Sequence, residues 1–238
     1  MQSLGNPFHI HLLGDHAILI KLSKGLNGGI DRDLLTLAAF IKEQKIQGVK
    51  DIILAYDNLT LVYDILDFDS NPYLYVNQLV ANFIAEASNH NAPNSASRLI
   101  EVPVCYDPSL GIDLEAAAKI ANCNIEALIQ EHTAHIYTVY CLGFLPGFAY
   151  MGDVPKKIQL PRHPQPRATV VAGSVGIAGK QTGIYPMDSP GGWQIIGRTP
   201  IKIFDTIKLS LFKAGDQVKF NPIDLALFHE LNNQEDVH

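Results

Sequence analysis

The hydrophobic positions near the start of the chain fall in short runs and then switch period. Runs at 9–13 and 17–22 flank Gly14-Asp15 and predict two short strands. In 31–45 the apolar residues Leu34, Leu37, Ala38 and Ile41 recur at helical spacing, which predicts an amphipathic helix. Runs at 49–56 and 59–65 follow as a hairpin with Asp57-Asn58 as its turn. Ser70 or Asn71 can cap a second helix beginning at Pro72, a favoured first-turn position, with a buried stripe of Leu74, Leu79, Phe83 and Ala87. The polar, uncharged run 89–97, which carries Pro93, reads as a linker. Residues 1–88 are therefore expected to form a small α/β domain.

After the linker, 98–105 reads as a strand, 113–121 and 125–132 as two short helices, the second capped by Asn124, and 136–142 as a strand. Then come short apolar runs separated by Gly and Pro: Val170-Val171, Ile195-Ile196, 201–204, 207–211 and 218–220. They predict a mainly β, barrel-like body, so that 98–238 forms a second domain.

Composition narrows the function. The 238 residues include 18 basic and 24 acidic side chains, for a net charge of −6. This acidic balance argues against a nucleic-acid binder, whose footprint is basic. Three widely spaced cysteines, Cys105, Cys123 and Cys141, fit a reducing compartment rather than a disulfide scaffold. The opening residues lack the form of a secretory signal, since Lys21 interrupts the first apolar stretch. Residues 133–152 are uncharged, yet His135, Gly143, Pro146 and Gly147 argue against a membrane helix. A cytoplasmic protein with no membrane partner is expected.

Glycine and proline concentrate in 141–200, which holds 10 Gly and 8 Pro. This window carries a net charge of +4 against −10 for the rest, and three of the five arginines: Arg162, Arg167 and Arg198. A loop-rich positive segment in an acidic chain suggests a site for an anionic ligand, although solvated charge between turns gives the same pattern. The segment Ala172-Gly-Ser-Val-Gly-Ile-Ala-Gly-Lys-Gln-Thr182 is not a Walker loop, because five residues separate the flanking glycines and Gln181 follows Lys180. It is not a nucleophile elbow either, since Gly179, Gly183 and Pro186 leave no helix for Ser174 to open. Its glycines serve either an anion-binding concavity or tight turns between barrel strands. His9 and His11 share a strand face without a third metal ligand, and His132 and His135 suit structural hydrogen bonds. Trp193, the sole tryptophan, is a packing anchor or a stacking platform.

Six ordered blocks go further. These are Cys141-Leu-Gly-Phe-Leu-Pro-Gly-Phe-Ala-Tyr-Met-Gly152, Pro161-Arg162 with Pro166-Arg167, Ala172-Gly-Ser-Val-Gly-Ile-Ala-Gly179, Gln181-Thr-Gly-Ile-Tyr-Pro186, Ser189-Pro-Gly-Gly-Trp-Gln194 and Ile196-Gly-Arg-Thr-Pro200. Together they resemble the B subunit of bacterial 5-oxoprolinase, a family that includes the sporulation histidine-kinase inhibitor and proteins labelled allophanate hydrolase subunit 1. The resemblance is strong from 98 to 223 and weaker through Gly14-Asp15-His-Ala-Ile-Leu19 and the hairpin.

The resemblance implies an α/β N-terminal domain followed by a mainly β, cyclophilin-like barrel. It implies a homologous C subunit and an A subunit as partners. With them the chain would open 5-oxo-L-proline to L-glutamate at the expense of ATP, with Mg shared with a partner, and would be inactive alone. Phosphorylating the lactam oxygen would make it a leaving group, which calls for cations around the transferring group. On this basis Arg167, Gln181 and Tyr185 are the catalytic candidates. Arg162, Ser174, Thr182, Ser189, Gly191, Gly192, Trp193 and Arg198 are candidates for binding substrate or ATP, and no metal ligand is assigned. Lys180 is not at a position fixed by the family, Val171 stands where many members have proline, and the role of His163 is open. The rival readings are an inhibitor docking on a sensor histidine kinase and half of a biotin-dependent carboxyltransferase.

Overall fold

The computed structural model describes residues 8–23, 32–68, 71–87, 98–207 and 209–235. They group into two compact units that divide the chain between residues 96 and 97. The expected linker 89–97 and the alternative cap Ser70 lie outside the described residues.

The first unit runs β1 (Phe8–Leu12), β2 (Ala17–Leu22), α1 (Arg32–Glu43), β3 (Val49–Ala55), β4 (Asn58–Tyr63) and α2 (Pro72–Ala87). Its strands form an antiparallel sheet in the order β1-β2-β4-β3. Ile18, Ile20, Leu59 and Leu61 form one core with Leu34, Leu37 and Ile41 of α1 and with α2. Asn71 caps α2, its Oδ1 accepting from the Tyr73 and Leu74 amides at 3.0 and 3.3 Å. The stripe of α2 differs from expectation: Val76, Leu79, Val80 and Phe83 are buried, whereas Leu74 is 65% exposed. The buried set keeps the i, i+3, i+4, i+7 spacing, and Leu74 lies out of phase with it. The hairpin turn is also displaced by one residue. Ala55 pairs with Asn58, so Tyr56-Asp57 is the turn, and Tyr56 takes the left-handed conformation with φ 47°.

The second unit contains β5 (Leu99–Cys105), α3 (Leu114–Ile120), α4 (Ile125–Thr133), β6 (Ile136–Leu142), β7 (Ala149–Gly152), β8 (Arg167–Val170), β9 (Ser174–Ala178), β10 (Gln181–Ile184), β11 (Ser189–Gly191), β12 (Gln194–Arg198), β13 (Phe204–Asp205), β14 (Leu209–Ser210), β15 (Gln217–Ile223) and α5 (Leu225–Glu235). Seven strands close a barrel in the order β10-β7-β6-β15-β5-β12-β9. All its pairings are antiparallel except β15 with β5. Val102, Val139, Met151, Val175, Ile177, Ile184, Ile196, Val218 and Phe220 fill its interior, where they meet Leu114 and Leu128 from α3 and α4.

Against expectation, α5 follows the last strand, and the glycine-rich 172–182 segment supplies two barrel strands. The packing explains those glycines. Gly176 and Gly183 face each other across β9 and β10. A β-carbon on Gly183 would lie 2.7 Å from the Ala149 carbonyl oxygen and 3.3 Å from the rings of Phe148 and Trp193. The run 201–204 is mostly irregular, with only Phe204 entering a strand, β13, which pairs with β14.

One polar chain crosses the barrel interior. The Thr182 hydroxyl donates to the Gly176 carbonyl at 3.0 Å, so at 2.9 Å it accepts from His132 Nε2. The neutral imidazole then has its lone pair on Nδ1, which accepts from the Tyr106 hydroxyl at 2.9 Å. The Tyr137 hydroxyl donates to the His132 carbonyl at 2.8 Å, and Phe220 stacks on the ring at 4.7 Å. Burial lowers the His132 pKa to about 3, with the charge of His135 adding to the effect. Cys105, Cys123 and Cys141 are free thiols. Among the described residues no helix is long and apolar enough to cross a membrane.

Candidate functional site

Outside the barrel, a second small core covers the glycine-bearing faces of β9 and β10. It joins Phe148, Val170, Ala178, Tyr185, Trp193 and Ile195, with Leu145 and Tyr150 packed against them. The rings meet edge to face: Phe148 lies 5.3 Å from Tyr185, 5.4 Å from Trp193 and 4.8 Å from Tyr150. β11 and β8 pair as a two-stranded sheet that places Gly191 opposite Arg167. Glycine is required at 191, because a β-carbon there would come within 2.5 Å of the Tyr185 hydroxyl.

A buried carboxylate stands beside this aromatic wall. Asp113 occupies the N-cap position of α3 but makes no capping bond. Its carboxylate accepts instead from Arg167 Nη2 and, at 2.7 Å, from the Ile195 amide, while its own amide donates to the Ile195 carbonyl at 2.9 Å. His163 Nε2 lies 3.3 Å from Asp113 Oδ2, and the His163 amide donates to the Gly192 carbonyl at 2.8 Å. Gln194 donates through Nε2 to the Pro161 carbonyl at 3.0 Å. These bonds tie segment 161–167, the Gly191-Gly192 corner and the start of α3 together.

Not every polar atom of these side chains is satisfied. Among the described residues, three buried side-chain polar atoms have no hydrogen-bond partner: His163 Nε2, Arg167 Nη1 and Gln194 Oε1. Buried polar groups are nearly always paired, so these three atoms are exceptions to that rule.

Charge and burial set the state of the phenols. Burial pushes the Tyr185 hydroxyl above its ordinary value, against smaller opposing pulls from the Trp193 backbone and from the Arg162 and Arg167 charges. Burial likewise raises Tyr150, and Arg162 again opposes it. Both phenols are neutral at physiological pH and suited to hydrogen bonding rather than to general-base work.

Comparison with known proteins places the chain. A model of the carboxyltransferase domain, subdomains C and D, matches residues 8–211. The chain is 39% identical to the 5-oxoprolinase B subunit of Bacillus subtilis over 231 residues, covering 93% of this chain and 95% of that one. The chain belongs to the 5-oxoprolinase B-subunit family. The Haemophilus influenzae 5-oxoprolinase B subunit is 42% identical over 187 residues, which cover 77% of this chain and 84% of that one. The crystal structure of TTHA0988 superposes with a TM-score of 0.72 at 32% identity over 87% of this chain. This chain spans only 40% of that longer one.

In this member of the 5-oxoprolinase B-subunit family, the residues singled out from the sequence separate into three places. Arg167, Tyr185, Gly191, Gly192 and Trp193 gather at the aromatic wall and the Asp113 carboxylate. Gln181 borders them, opposite Ala178 of the wall. Arg162 is exposed, but near enough to act on Tyr150 and Tyr185 through its charge. Ser189 sits opposite Val170 of the wall, its hydroxyl donating to the Pro190 carbonyl at 3.3 Å. Thr182 is apart: its side chain points into the barrel, where both roles of its hydroxyl are used by His132 and Gly176. Ser174 and Arg198 face each other at the opposite ends of β9 and β12 from Ala178 and Gln194. There Arg198 Nε donates to the Ala172 carbonyl at 2.8 Å, and the guanidinium lies 6.0 Å from the Phe228 ring centroid.

Asp113 and Gln194 join the site without having stood out in the sequence. Asp113 looked like the first residue of a helix, and only the fold brings it to Arg167. Gln194 closed a recognised block without a distinguishing feature of its own. Among the described residues, no group of three or more His, Cys, Asp or Glu side chains is arranged to hold a metal ion.

Proposed function

We propose that the chain is the B subunit of an ATP-dependent 5-oxoprolinase, an amidohydrolase subunit inactive alone. It acts with a homologous C subunit and an A subunit to convert 5-oxo-L-proline to L-glutamate in the cytoplasm. The observation carrying this reading is the likeness to the Bacillus subtilis B subunit along nearly the whole of both chains.

The geometry supports it at one place. The half-buried Arg167 and the exposed Arg162 bring two guanidinium groups to the 161–167 segment, donors suited to an anion, whether the carboxylate of 5-oxoproline or a phosphate of ATP. ATP, when bound, supplies the phosphoryl group that turns the lactam oxygen into a leaving group. The chain's own residues hold and neutralise. Asp113 holds the Arg167 guanidinium through Nη2, while Nη1 has no hydrogen-bond partner. The Tyr150 and Tyr185 phenols and the Trp193 ring form a wall that limits access of water. Gln181 lies at the border of this wall, where its amide can orient the lactam. Mg, when bound, would be shared with a partner subunit and would offset charge on the phosphates of ATP.

Complementation tests this reading. A bacterium lacking only its own 5-oxoprolinase B subunit, given this chain, grows on 5-oxoproline as nitrogen source; failure of a well-expressed chain to restore growth contradicts it. A second reading, half of a biotin-dependent carboxyltransferase, is favoured by the description of the matching domain model. Activity abolished by avidin would select it.

A further inference from the structure

We infer that His9 and His11 form a two-histidine chelate for a divalent transition-metal ion of the nickel, copper or zinc type. The site lies wholly in the first unit and is independent of the 5-oxoprolinase reading.

Both residues stand on β1, where alternate side chains share a face. Phe8 and Ile10 join the core beneath the helices, so His9 and His11 point to the other face of the sheet, and both are exposed. Their ring centroids are 6.4 Å apart. Two imidazoles sharing one ion at a metal–nitrogen distance of about 2.1 Å have ring centres about 5 Å apart. Turning the two exposed side chains toward each other by about 1.4 Å in total closes the chelate, which side-chain rotation alone can supply. The extended strand sets this spacing, so the folded chain offers a prearranged pair that an unfolded one does not.

The surroundings leave the pair open to an ion. Among the described residues neither imidazole has a hydrogen-bond or ion-pair partner. β1 is an edge strand in the order β1-β2-β4-β3, so among the described residues no strand pairs with its outer side. Across from the histidines on β2 are Lys21, opposite His9, and Leu19, opposite His11. The Lys21 ammonium would repel a cation, but it lies 3.6 Å from the Asp57 carboxylate. Asp57 adjoins Asn58, the partner of Lys21 on β4, so the ammonium is drawn to the side of β2 away from His9. Donor chemistry then sets the ion. Imidazole nitrogen suits Ni2+, Cu2+ and Zn2+, whereas Mg2+ and Ca2+ demand oxygen ligands. Two protein nitrogens leave the remaining positions of the ion to water.

Calorimetric titration of the full-length chain with NiCl2 tests the pair. The tightest site is expected to take one Ni2+ per chain and to persist in an excess of MgCl2. Either His9→Thr or His11→Thr is expected to weaken that site about 100-fold, because one tethered ligand of two remains. Threonine suits an exposed strand position, so both variants should keep the fold. Nuclear magnetic resonance of the wild type gives a second reading that needs no variant. Ni2+ is paramagnetic, and at substoichiometric amounts it is expected to broaden the amides of β1 and of 19–21 before any others. Single variants that bind Ni2+ as tightly as the wild type, broadening that begins elsewhere, one ion shared between two chains, or displacement of Ni2+ by Mg2+ overturns the inference.

Discussion

His132 Nε2 and Thr182 Oγ1 meet inside the barrel at 2.9 Å, joining the last turn of α4 to β10 across 50 positions of sequence. The contact explains why a histidine can be fully buried without a charged partner. Its ring is neutral, and both nitrogens are bonded.

A pH dependence follows. The His132 pKa falls from 6.5 in the unfolded chain to about 3 when folded, chiefly by burial. Between these values the unfolded state binds more protons, so stability rises with pH there. The contribution is complete above the unfolded value and is lost as pH falls towards the folded one, with a slope of up to about 1.4 kcal/mol per pH unit. Denaturant unfolding at pH 7 and pH 5 should show the wild type losing more stability than His132→Leu. That variant is expected to be less stable at pH 7 by about 1–3 kcal/mol, because Tyr106 and Thr182 lose their partner.

Arg167→Ala and Gln181→Ala separate a site from a scaffold. Loss of 5-oxoproline turnover by about 100-fold or more, with the melting temperature within a few degrees of wild type, is the outcome expected of ligand-facing residues. Calorimetry beside the activity assay would reveal a scaffold role as a fall in stability instead.

Gly191→Ala probes the approach of backbone to ring. The added methyl would lie 2.5 Å from the Tyr185 hydroxyl, so either the phenol or the β11 corner must move. The expected cost is about 1–3 kcal/mol by denaturant unfolding, with a shift in Trp193 emission. Tyr185→Phe combined with Gly191→Ala should recover only part of it, because the oxygen is gone while two ring carbons stay 2.8 Å from the methyl.

Local patterns predicted the first unit closely. The α1 stripe and β2 follow from apolar spacing, since one face of each packs on a single core. Leu74 misled because an exposed leucine on α2 looks like any other in sequence. In the second unit β6 and the Asn124 cap were legible, whereas β9 and β10 were not. Their glycines look like turns, and only Phe148 and Trp193 lying against them show why strands lack side chains there. The candidate site was legible where arginines and aromatics sit in recognisable blocks. Asp113 was not, because its link to Arg167 spans 54 positions and exists only in the folded chain.

The most direct measurement is glutamate release from 5-oxo-L-proline and ATP by this chain combined with its A and C partners, each omitted in turn. Release that requires all three, and that fails without ATP, is the predicted result. A stable, correctly assembled complex that releases no glutamate, or release that continues when this chain is left out, would contradict the account.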